Sequence, residues 1–152
     1  VAVGLLAALK PQLGILLPVI FAIATIGGTG IHLLGINLPA AETAIAFSIL
    51  AFGIMLALKN TPNFLWIALG AALAGIFHGY AYGEAIIGAE MSPLLSYLTG
   101  FALIQIGVAS VVCLSAQFVL KNVPENPNLY LRFAGFTICG IGAAFLSSVV
   151  LA

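Results

Sequence analysis

The sequence predicts an all-α protein, a polytopic transmembrane helix bundle that occupies residues 1–152 as one domain. Two observations lead to this fold class. Hydrophobic residues make up 63% of the chain and charged residues only 5%, against about 25% charged residues in a soluble domain. The apolar residues also form long runs, most of them near the roughly 20 residues that a helix needs to cross about 30 Å of hydrocarbon.

The apolar runs predict five complete helices, preceded by the end of a truncated first helix. The first run, 1–9, is too short to cross a bilayer, so we interpret it as the last turns of a helix and expect six helices in the parent protein. Pro18 lies inside the first complete span and is expected to bend it. Pro, Asn and Gly separate the complete spans. These spans are 13–34, 40–58, 64–84, 93–120 and 129–151.

Basic residues are confined to alternate connections, which predicts the orientation. The first, third and fifth connections contain or adjoin every Lys and Arg, whereas connections 35–39 and 85–92 contain none. By the positive-inside rule the basic loops are cytoplasmic, in a bacterial inner or plasma membrane, or in a thylakoid if the organism is photosynthetic. The basic residues are Lys10, Lys59, Lys121 and Arg132.

The polar residues that are expensive inside a membrane gather at the other, non-cytoplasmic side, where we expect a metal site. A neutral imidazole has a lone pair for a metal, but His78 also fits a buried imidazole that is hydrogen-bonded to a carbonyl or hydroxyl group. The other side chains have alternatives as well. Glu42 also suits the positive end of its helix dipole, and protonated His32 suits the negative end. Glu84 also fits an ordinary interfacial residue. The candidate metal ligands are His78, Glu84, Glu42 and His32.

The predicted helix 64–84 contains two sets of residues spaced four apart. Gly75, Gly79 and Gly83 form one bare stripe, which predicts close packing against another helix. His78 and Tyr82 lie on a neighbouring strip of the same helix and can act together.

Other function classes find no support in the sequence. The chain has no Asp, no phosphate-binding glycine loop and no net charge, so we expect no catalytic residue, no enzyme activity and no nucleic-acid partner. Cys113 and Cys139 lie within apolar runs and read as small buried residues rather than a disulfide or a soft-metal site.

Three motifs resemble the HupE/UreJ family, six-helix membrane proteins regarded as nickel or cobalt permeases. The run at 77–84, Phe-His-Gly-Tyr-Ala-Tyr-Gly-Glu, is similar to the family's Phe-His-Gly-x-Ala-His-Gly pattern followed by Glu. The segments 38–48 and 97–102 also look like family segments. Tyr82 stands where the family has a second His, and the Glu after the motif comes either one residue early, at Glu84, or late, at Glu90, so only His78 carries over directly. The family's His-Pro and Asp-His signature would lie before Val1.

The resemblance implies a secondary permease that carries Ni(II) or Co(II), with the metal ion and the lipid bilayer as partners and no resident cofactor. A His/Glu site near the non-cytoplasmic face would use the four candidate ligands. Nitrogen and oxygen donors suit both ions. The alternative is a non-transporting structural or pigment-associated subunit of a larger membrane complex. A homo-oligomer is compatible with either interpretation.

Overall fold

The computed structural model describes residues 1–10, 14–60, 62–88, 90–122 and 126–151. Within these ranges the chain forms six α-helices and no strand, which confirms the all-α class. A 3₁₀ turn, Glu84–Ile86, directly follows α4. The helices are α1 Ala2–Ala8, α2 Leu16–Leu33, α3 Ala41–Ala57, α4 Phe64–Gly83, α5 Met91–Asn122 and α6 Pro127–Leu151.

Four helices of the described chain, α2, α4, α5 and α6, are long and apolar enough to cross a membrane. The third, α3, has 17 residues and is therefore only about 25 Å long. The number of complete spans and the truncation of the first helix accordingly stay predictions. The observed helix bounds agree with the predicted spans within three residues, although Leu13 lies outside the described residues.

Local signals explain where the helices begin and end. Pro18 is the third residue of α2. In the first turn of a helix a proline breaks no intrahelical hydrogen bond, so the bend expected from a proline inside the span has no cause here. At the other end of α2, Gly35 adopts a φ of 72° and its N–H donates to the carbonyl of His32 at 2.9 Å. The N–H of Ile36 donates to Ile31 at 3.3 Å, which completes a Schellman motif. Asn63 caps α4 by accepting from the N–H of Leu65 at 3.2 Å.

The helices pack as two close pairs around a short central helix. Helix α2 packs mainly against α4, and α3 packs mainly against α6. Between them, α1 contacts α2, α3 and α5, and most of its residues are buried, Leu6 with 1% of its surface exposed. The outward faces carry large apolar side chains such as Trp66 and Phe118, which are 66% and 70% exposed. Such faces suit a lipid environment.

The two ends of the bundle differ in chemistry. At one end, which we call the basic end, Leu9, Lys59 and Arg132 line a small pocket, and Arg132 donates from Nε to the carbonyl of Ala57 at 3.0 Å. A cation at the last carbonyls of α3 also offsets the helix dipole. The opposite end carries the α2–α3 loop and the turn after α4. Basic residues of alternate connections thus meet at one end, as an antiparallel bundle requires.

Labelling from outside the cell tests which end faces the cytoplasm. In a Cys113→Ala, Cys139→Ala background, we expect Glu90→Cys to react with a membrane-impermeant thiol reagent in intact cells, because the basic end is retained inside. Asn60→Cys, in the loop at the basic end, is the matched control and should react only after lysis. The reverse pattern would overturn the orientation.

Candidate functional site

The glycine stripe of α4 sets how this helix faces its neighbours. A Cβ placed on Gly79 would overlap the carbonyl of Thr25 on α2, and one on Gly83 would lie 2.6 Å from the Cβ of His32. Thr29 closes the contact by donating from Oγ1 to the carbonyl of Gly79 at 2.8 Å. The predicted close packing is therefore confirmed, with α2 as the partner. Because the stripe faces α2, His78 is turned toward α3.

His78 lies on α4 five residues before the helix ends, about 8 Å from its end. Its Nε2 lies 3.3 Å from Oγ of Ser48 on α3, within hydrogen-bonding distance. The ring of Phe21 meets the imidazole edge-on, with centroids 5.8 Å apart. The Tyr82 ring, one turn further along α4, lies 6.4 Å from the imidazole. The imidazole is thus contacted by α2 and α3, with Tyr82 of its own helix nearby.

A cavity of about 570 Å³ lies beside His78, bordered by α1 to α6. Its polar wall residues are Ser48, His78, Tyr82 and Gln105, and its remaining wall residues are apolar. The Oε1 atom of Gln105 is enclosed and has no hydrogen-bond partner among the described residues. The cavity therefore combines one imidazole with hydroxyl and amide groups in an otherwise apolar space.

Sequence reasoning missed Gln105. It stands alone in an apolar stretch of α5, where an uncharged polar side chain in a membrane helix still needs a partner. Its isolated position in this apolar stretch is the sequence feature that could have identified it as a candidate site residue. The cavity wall shows why it matters, because Gln105 and His78 are far apart in the chain but line the same space.

An aromatic series leads from the cavity along α5. The rings of Tyr82 and Phe101 meet edge-on at 4.5 Å, and Phe101 stacks on Tyr97 at 5.9 Å. Tyr97 is half-buried and packs against Phe101, one turn before the cavity.

His32 belongs to a different place. It lines a second cavity of about 380 Å³ at the end of the bundle opposite the basic end, together with Asn37 and Tyr80. Its ring meets that of Tyr80 edge-on at 4.5 Å, and the Tyr80 hydroxyl donates to Oδ1 of Asn37 at 3.4 Å. The Nδ1 atom of His32 is enclosed, with no partner within the described part of the chain. His32 and His78 therefore do not share a site.

The four candidate ligands do not form one cluster in this structure. Glu42 stands exposed in the first turn of α3, and Glu84 is exposed at the end of α4. Among the described residues, no three or more His, Cys, Asp or Glu side chains come together in a way that could hold a metal ion. Metal binding by His78, Glu84, Glu42 and His32 stays a prediction.

Comparison with known proteins identifies the family. The family model described as HupE / UreJ protein matches residues 1–145. The chain is also 28% identical over 133 residues to Protein HupE of Rhizobium leguminosarum bv. viciae, a match that covers 86% of this chain and 66% of that protein. The chain thus spans just under two thirds of this relative's length. No solved structure matches the chain significantly. Because the family match extends over almost the whole chain, the chain belongs to the HupE/UreJ family.

Proposed function

We propose that this chain forms the transport path of a secondary permease for a divalent transition-metal ion, nickel or cobalt. The family resemblance implies such a substrate, and the position of His78 on the wall of a cavity lined by six helices of the described chain is the observation that supports it here. An imidazole in a membrane helix demands a functional explanation because polar groups are costly there.

The donor atoms around the cavity match this substrate. His78 offers an imidazole nitrogen, and Tyr82 and Gln105 on the same cavity wall offer oxygen. Imidazole and oxygen donors suit Ni(II) and Co(II), whereas thiolates select softer ions. The cavity lining contains no cysteine among the described residues. We therefore place the ion at His78.

The remaining candidate ligands receive a different role in this proposal. Glu42, Glu84 and His32 lie at the end of the bundle opposite the basic end, on the side of the membrane that we predict to be non-cytoplasmic. Exposed carboxylates raise the local concentration of cations. We assign Glu42 and Glu84 to attracting the metal ion and His32 to a separate early contact, before the ion reaches His78.

Transport requires the helices around the cavity to rearrange. At Gly28 and Gly79 the glycines bring the backbones of α2 and α4 against each other, and small sliding movements along this interface would supply the rearrangement. The energy would come from the gradient of the metal ion or of a coupled ion, as befits a secondary permease.

Uptake into vesicles tests the proposed function. The full chain, reconstituted into sealed lipid vesicles, should give saturable Ni(II) uptake that His78→Ala abolishes and His32→Ala only reduces. Ser147→Ala, at an exposed hydroxyl of α6 that bonds to its own helix, is the control and should transport normally. Equal uptake by wild type and His78→Ala would contradict the proposal and favour the structural-subunit alternative.

A further inference from the structure

Ser48 makes two polar contacts through one hydroxyl group. Its Oγ lies 2.7 Å from the carbonyl oxygen of Ile45, one turn earlier on α3, and 3.3 Å from Nε2 of His78 on α4. A serine hydroxyl carries one proton to donate and lone pairs with which to accept. The hydroxyl can therefore donate in only one of the two contacts and must accept in the other.

The carbonyl of Ile45 decides that direction. A carbonyl oxygen can only accept, so the hydroxyl of Ser48 must be the donor in that contact. The length of 2.7 Å is usual for an O–H donor, whereas 3.3 Å is long for either direction of the His78 contact. With its proton committed to Ile45, Oγ of Ser48 accepts from His78. The Nε2 atom of His78 must then carry a hydrogen.

We infer that Ser48 is a positioning residue, which holds neutral His78 as the tautomer protonated on Nε2 and leaves Nδ1 as the nitrogen that binds the transported ion. A neutral imidazole has one N–H and one lone pair, so fixing the proton on Nε2 puts the lone pair on Nδ1. The role of Nδ1 in binding the ion rests on the proposed function. The tautomer follows from the hydrogen bonds alone.

The surroundings of Nδ1 agree with this assignment. No described residue forms a hydrogen bond with Nδ1 of His78. This nitrogen is also not enclosed by protein atoms, so a ligand can reach it. His32 differs, since its Nδ1 is enclosed. In metal sites a ligating His almost always donates its other N–H to a fixed acceptor, which sets the tautomer and the ring orientation. His78 has such an acceptor in Ser48, with Phe21 against the ring.

Nitrogen NMR measures the tautomer directly. The full chain is labelled with ¹⁵N-histidine in lipid nanodiscs at neutral pH without metal, and His32→Gln removes the signal of the other histidine in the chain. We expect a single His78 species with the proton on Nε2. Ser48→Ala should give a mixture of both tautomers, Ser48→Thr should restore the single species, and Ser147→Ala should change nothing. A wild-type proton on Nδ1, or a Ser48→Ala spectrum identical to wild type, would overturn the inference.

Calorimetric titration with Ni(II) then separates the two proposals. We expect Ser48→Ala to bind Ni(II) roughly 10-fold more weakly than wild type, as loss of an outer partner of a metal ligand does, and Ser48→Thr to bind close to wild type. Unchanged affinity in Ser48→Ala would refute the positioning role. If the wild-type chain shows the Nε2 tautomer but binds no Ni(II), the proposed function fails and the tautomer assignment stands.

Discussion

Replacing His78 by Ala is expected to lower the affinity of the purified chain for Ni(II) by at least about 100-fold. Removing only the hydrogen-bond partner of a metal ligand already costs up to about 100-fold, and this variant removes the ligand itself. His78 supplies the imidazole nitrogen of the cavity, and the neighbouring hydroxyl and amide groups are weaker ligands. The measurement is calorimetric titration of the detergent-solubilised full chain with Ni(II), Co(II) and Zn(II). Affinity should also fall on mild acidification, because a protonated imidazole has no lone pair to give.

Two further variants make this prediction specific. Tyr82→His restores the second imidazole of the family pattern on the wall of the same cavity, so affinity should be kept or raised. His32→Ala should have a smaller effect than His78→Ala, since His32 lines a different cavity. If His78→Ala binds Ni(II) as tightly as wild type, the cavity is not the metal site and a structural-subunit role becomes the better explanation.

Replacing Gly79 by Leu is expected to prevent correct assembly of the α2–α4 pair. Overpacking a tight contact typically costs about 1–3 kcal/mol, and the cost at Gly79 should reach or exceed the upper value because the atom in the way is the backbone carbonyl of Thr25. A backbone atom of a helix cannot move aside as a side chain does. The variant should also lose the hydrogen bond from Thr29 to the Gly79 carbonyl. Thermal unfolding in detergent, followed by size-exclusion chromatography, measures both consequences.

The same helices offer matched controls. Ala81→Leu enlarges a residue two positions further along α4 and should be tolerated better. On α2, Gly28→Ala places a methyl group against the backbone of Ile76, whereas Gly27→Ala meets no atom within 4 Å and should gain the helix propensity of alanine. Equal stability of Gly79→Leu and Ala81→Leu would show that the two helices do not approach as closely as the structure describes.

The helices themselves were predictable from the sequence. Long apolar runs separated by Pro, Asn and Gly placed α2 to α6 within a few residues, because hydropathy and helix-ending residues act locally. Arg132 is a partial case. Its position one turn inside the last helix was clear, but its hydrogen bond to the carbonyl of Ala57 depends on α3 and α6 lying side by side.

The candidate site was only partly predictable. The four-residue spacing of Gly75, Gly79 and Gly83 predicted a close contact with another helix. The spacing could not identify that helix, and only the packing shows that it is α2. His78 was singled out by its cost in a membrane helix and by its family motif. Gln105 was missed, since its importance comes from the enclosed oxygen beside a cavity formed by distant segments.

The sequence by itself determined the helical class, the approximate helix bounds and the connections that carry the basic residues, and it singled out His78 as a candidate ligand. These properties depend on composition and on neighbours within a turn or two of the same helix. Only the tertiary structure decided that His78 and His32 line separate cavities, that Glu42 and Glu84 stay exposed, and that Ser48 lies within hydrogen-bonding distance of His78. The physical reason is the rotation of α4: the glycine stripe must face α2 to let the backbones touch, and that contact turns His78 toward Ser48 on α3 and away from His32.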